Sequence, residues 1–260
     1  MQYALLPFST RTRDHDYVGR ADIRAALAER RRSIAETAID NLELLDLVAD
    51  KLQELPWRVM VDHCIEQDGR LHLAVLAPDM GRNLVGGDEV NAGFYLQNSE
   101  RSVCDTLACS RVFRVACANG ALVECDQTQT LTIGSAERPP GDWQRRVVDV
   151  IGRAFSGEGV DIDAARFGST MHQMIVAPFE FLCHLAAQGL IDDDEQSQIQ
   201  AAFDDEGDLS MYGLINAVTQ VAHGLRDNDR WVRSFEIERL GGEILRGDHN
   251  LPTLEFARSR

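Results

Sequence analysis

At 260 residues the chain suits one large domain or two small ones, and can bury a real core. With 44% hydrophobic and 26% charged residues and no low-complexity tract, it is neither a disordered nor a fibrous sequence. Its net charge of −16 opposes generic binding to duplex nucleic acid, whose affinity comes largely from neutralised phosphates, and leaves only a local basic groove to consider.

Lys51 is the only lysine, so positive charge is carried almost wholly by arginine. Arginine suits bidentate contacts to phosphate or carboxylate, although genomic base composition produces the same bias. MQYALLPFSTRTRDHD has too short an apolar run for a signal sequence, and no window approaches the roughly 18 apolar residues of a membrane span. A cytoplasmic location and no membrane contact are therefore expected. The six cysteines (Cys64, Cys104, Cys109, Cys117, Cys125, Cys183) then read as reduced, buried thiols.

In chain order, residues 1–20 read as extended or irregular. Over 22–55 apolar residues recur at helical steps, from Ile23 and Leu27 through Leu42, Leu45, Val48 and Leu52, and Pro56 closes the run. A break near Ser33 or Asn41 is expected in so long a helix, and Arg30, Arg31 and Arg32 read as a solvated face.

An antiparallel sheet is predicted over 57–135. Val59 to Ile65 and Leu71 to Val75 alternate about an Asp68-Gly69 turn. GRNLVGGDEVNAG reads as a flexible connection with room for a short strand, Gly93 to Ser99 as a strand, and Ser102 to Ser110 as strand or short helix. RVFRVACANGALVEC then sets two apolar-rich runs about Asn119-Gly120, which tolerate the positive φ of a type I′ hairpin turn. That register places Cys117 opposite Leu122 and Arg114 opposite Cys125, with Arg114 projecting from a small-residue face.

Glu137-Arg-Pro-Pro-Gly-Asp142 marks a boundary, and 140–246 reads as helical. Helices are expected over WQRRVVDVIGRAF, over Asp163 to Leu190 with a kink or division at Pro178, after the acids at 192–195, and over Asp208 to Leu225. A last helix, Asp229 to Leu245, is expected to be interrupted at Gly241-Gly242. The sum is a single α+β domain over 1–260, because Gly213 to Thr219 is apolar enough to need the sheet as cover.

No catalytic residue, metal site or cofactor emerges. The cysteine spacings miss those of zinc knuckles, and the acidic runs at 192–195 and 204–208 lack the alternating ligands and central Gly of an EF-hand. Gly157-Glu158-Gly159 and Gly86-Gly87 lack the P-loop lysine and read as turns. Asp62, His63 and His72 are the residues a metal-dependent hydrolase would use, but Asp62 and His63 alternate faces on a strand.

Asn98-Ser99-Glu100, then Phe113-Arg114-Val115-x-Cys117-x-Asn119-Gly120, then Gly213-Leu214-Ile215-Asn216-Ala217-Val218-Thr219 with Glu238 and Gly241-Gly242, form an ordered motif set. It resembles a family of phage- and plasmid-borne proteins classed as a domain of unknown function, departing from it at Arg101, where members often carry Gly. The resemblance implies a mobile-element setting and DNA transactions. It carries over Asn98, Arg114, Cys117, Asn119, Gly120 and Asn216, each of which turn geometry, packing or a polar contact also explains, Arg114 least. A small antiparallel sheet backed by helices is also similar to the core of Rad52-type single-strand annealing proteins, an analogy of fold alone.

The leading expectation is a non-enzymatic accessory protein that binds single-stranded nucleic acid, as an oligomer. Arg101, Arg111 and Arg114 would line a groove and Phe94 or Tyr95 would stack on a base. One alternative is an acidic module that inhibits a host DNA-binding or defence protein by presenting its carboxylates; another is a metal-dependent nuclease or hydrolase using Asp62, His63 and His72.

Overall fold

The computed structural model describes residues 38–67, 69–84, 88–114, 119–123, 130–135, 137–227, 230–247 and 249. The fold is α+β: a helix, an antiparallel sheet, then a helical half. The elements are α1 (Asn41–Gln53), β1 (Met60–Gln67), β2 (Arg70–Asn83), β3 (Glu89–Ser99), β4 (Thr106–Arg114), β5 (Asn119–Val123) and β6 (Leu131–Ile133). There follow α2 (Trp143–Ala154), α3 (Gly157–Ser169), a 3₁₀ turn (Thr170–His172), α4 (Pro178–Ala187), α5 (Asp193–Glu206), α6 (Met211–Asp227) and α7 (Trp231–Arg246). Among the described residues no helix is long and apolar enough to cross a membrane.

The described part of the predicted 22–55 helix is α1, and the Arg30–Arg32 triplet lies outside the described residues. Asp40 is the N-cap, its Oδ1 accepting from Leu42 N at 2.7 Å and Glu43 N at 3.2 Å, so the chain turns helical at Asn41. Leu44, Leu45, Val48 and Leu52 then form its buried stripe.

The strands run β1-β2-β3-β4-β5, with β6 paired to the start of β4. Neighbouring strands joined by short connections can only be antiparallel. The first hairpin closes at Gly69, whose φ of 79° a side chain would resist, and pairs Gln67 with Arg70. A bulge between Val61 and His63 shifts the register from Val61↔Val75 to His63↔Ala74.

Four expectations are corrected. The segment 81–93 is not mainly connection: β2 runs on to Asn83 and β3 starts at Glu89, because ladder pairing overrides the weak strand preference of Gly and Asn. Asn119 and Gly120 open β5 instead of forming its turn, so the β4–β5 connection falls at 115–118, outside the described residues. Gly241-Gly242 does not interrupt α7: a Cβ on Gly241 would stand 3.0 Å from Thr219 Cγ2, so the glycine is what lets α7 lie close on α6. Gly157–Gly159 likewise begins α3 rather than a loop. Pro178 divides the predicted 163–190 helix as expected, standing at the first position of α4, where its missing N–H costs nothing.

The chain divides into two compact units. The first takes the described parts of Met1–Gly81, Asn91–Arg111 and Glu124–Val160; the second takes Arg82–Val90, Val112–Val123 and Asp161–Arg260. In the first, α1 and α2 pack together over one sheet face, where Leu71, Leu73, Val75, Phe94, Leu96 and Ala108 meet Leu44, Val48, Val147 and Ile151. In the second, α6 packs on α5 and α7, and β5 lies against α6 and α7. A capping box at Asp192 and Glu195 starts α5, and Arg233 of α7 clasps Glu195 through Nε at 2.8 Å and Nη2 at 2.6 Å.

Candidate functional site

The helix-distant sheet face of the first unit holds the residues that sequence reasoning places in a groove. Leu71, Leu73 and Val75 occupy the helix side, so strand alternation sends His72 and Ala74 to the other; Tyr95, between Phe94 and Leu96, goes the same way. The bulge at Asp62 adds His63, which pairs with Ala74 instead of following Val61 into the helix-side core. This second face is itself buried: Ala74 and Cys109 are wholly inside, and Leu76 and Leu107 nearly so.

Arg111 lies on this face with its side chain out of solvent, and its Nη1 donates to Asp62 Oδ2 at 2.7 Å. His63 Nδ1 meets the same oxygen at 3.1 Å. His72 Nδ1 lies 2.9 Å from the Tyr95 hydroxyl, which donates to Gln97 Oε1 at 3.3 Å; Gln97 Nε2 in turn donates to the Asp105 carbonyl at 3.0 Å. Burial pushes His72 down to about 3, and the neighbouring His63 and Arg70 act in the same direction. His72 is therefore a neutral imidazole at physiological pH.

The groove expected from Arg101, Arg111, Arg114 and Tyr95 is accordingly corrected. Arg111 is committed to Asp62, while Tyr95 and Phe94 are 1% and 0% exposed, so none of the three faces a strand in solution. Arg101 is exposed and lies over Gly69, its Cγ 3.3 Å from where a Cβ would stand there. The side chain of Arg114 lies outside the described residues, as does Cys117. Asp62, His63 and His72 do not converge as ligands, because Asp62 binds Arg111 and His63, and Tyr95 holds the His72 Nδ1. Among the described residues no group of His, Cys, Asp and Glu is arranged to hold a metal. Burial pushes the Cys64 thiol up to about 12 and also raises Cys104, so both are held towards the protonated thiol.

The Asn98-Ser99-Glu100 stretch is a clamp on the start of α1. Asn98 Nδ2 donates to the Ile39 carbonyl at 2.8 Å and to Asn41 Oδ1 at 2.7 Å, and its Oδ1 accepts from Thr106 Oγ1 at 2.6 Å. Glu100 Oε1 accepts from Asn41 N at 2.8 Å, and Asn41 Nδ2 reaches the Gly69 carbonyl at 3.2 Å. Ser99 Oγ accepts from Val103 N at 3.1 Å across the tight turn where Ser102 takes a φ of 52°. An N-terminal N–H that would otherwise be orphaned is thus satisfied from the sheet. Asn216 is also internal, its Nδ2 donating to Glu206 Oε1 at 3.3 Å, and Thr219 Oγ1 donates back to the Ile215 carbonyl at 3.0 Å.

In the second unit the exception runs the other way. Between the 3₁₀ turn and α4, Ile175 N donates to the Leu209 carbonyl at 2.9 Å and Met211 N donates to the Gln173 carbonyl at 2.7 Å, giving a bridge that pairs Met174 with Ser210. Met174, Val176 and Leu209 are exposed on or beside this bridge, and Phe179 is exposed just beyond it on the first turn of α4. The acids of the α5 C-terminus, Asp204, Asp205 and Glu206, are exposed close by in sequence, ahead of Gly207. Sequence reasoning missed these exposed side chains; their signals were Pro178 breaking an apolar run and the acidic run preceding Leu209.

No family model, no curated protein and no solved structure matches this chain.

Proposed function

We propose that the chain is a non-enzymatic, acidic protein-binding module. In the mobile-element setting that its motifs resemble, the target is a host DNA-binding or defence protein. The carrying observation is an inversion of the usual placement in the second unit, where Val176, Phe179 and Leu209 are each more than half exposed. Single exposed apolar residues need no explanation, but Val176 and Phe179 stand only three positions apart, and apolar residues exposed so close together in the chain are what an interaction surface offers. The chain's charge of −16 supports the same reading, since it favours a cationic protein over a polyanion.

Arg101 carries the second reading, single-strand binding, because it is the exposed member of the expected groove whose side chain is described. Two measurements on the full chain separate them. Fluorescence anisotropy with a labelled single-stranded oligonucleotide at two salt concentrations tests the nucleic-acid reading. Immobilised chain exposed to lysate tests the module reading. A partner retained in fixed ratio and released by salt, with no oligonucleotide binding, is the expected result. Oligonucleotide binding that weakens with salt and is lost in Arg101→Ala, with no protein retained, overturns it.

A further inference from the structure

We draw no further inference here: the strongest candidate, the exposed apolar side chains of Met174, Val176 and Phe179 between the 3₁₀ turn and the first turn of α4, is an unpartnered apolar set, and nothing in the structure shows what covers it.

Discussion

Among the described residues both units bury polar groups and expose some large apolar ones, but in different proportion. The second buries Glu195 and Glu238 yet exposes Ile162, Met174, Val176, Phe179 and Leu209, where the first exposes Trp57 and Val103. The first takes Arg111, Asp62, His63, His72, Asn98 and Asn41 into or close to its interior and ties them together with hydrogen bonds. The second leaves Val176, Phe179 and Leu209 in water. Buried polar groups with good partners are near balance energetically and act to select one arrangement of strands and helix. Exposed apolar groups gain nothing from the fold that carries them. Polar burial here is architecture, and apolar exposure is what the proposed protein-binding reading rests on.

That contrast can be broken most forcefully by acid. His72 is neutral when folded, with its pKa lowered from 6.5 to about 3, whereas the unfolded chain protonates it near 6.5. The unfolded state therefore binds more protons over that range, and stability falls as pH drops from 6.5 towards 3. At about 1.4 kcal/mol per unit the loss is roughly 5 kcal/mol at the bottom of the range. Urea denaturation at several pH values checks it, and His72→Leu should flatten the slope by about one proton.

Next in size is Arg111→Leu, which removes one partner of a buried ion pair and leaves Asp62 largely desolvated, at a cost of about 3 kcal/mol by chemical denaturation. A surface arginine of a nucleic-acid groove would cost almost nothing, so a change below about 0.5 kcal/mol would return Arg111 to the exterior. Gly93→Ala follows. Its Cβ would stand 2.8 Å from the Val75 carbonyl and 3.1 Å from that of Arg111, forcing strands apart at a cost of about 1–3 kcal/mol. The smallest effect on stability belongs to Val176→Ser/Phe179→Ser, expected within about 0.5 kcal/mol of wild type because both side chains are already largely in solvent. A large destabilisation there would show that the patch packs against the chain itself and would remove the contrast between the units.

Much of the architecture was legible from local pattern. The stripe of α1, the Gly69 turn, the acids opening α5 and the division at Pro178 all follow from spacings of a few residues, and backbone sterics and capping act over that same range. The candidate site was not legible. An apolar residue reads as core until its surroundings are known, and nothing in the run through Met174 to Phe179 says that no helix of its own unit covers it.

The Asn-Gly signal shows the same limit. It favours a turn locally, yet Asn119 and Gly120 belong to β5, where each ladder bond gives a backbone group its partner. Alternation along β4 told which residues share a face with Arg111 but not whether that face meets water. A single bulge at Asp62, invisible in the alternating pattern of β1, carried His63 from one face to the other. Periodicity is a property of one strand, whereas burial and register belong to the neighbours it acquires, and those are chosen only when the whole sheet closes on its helices.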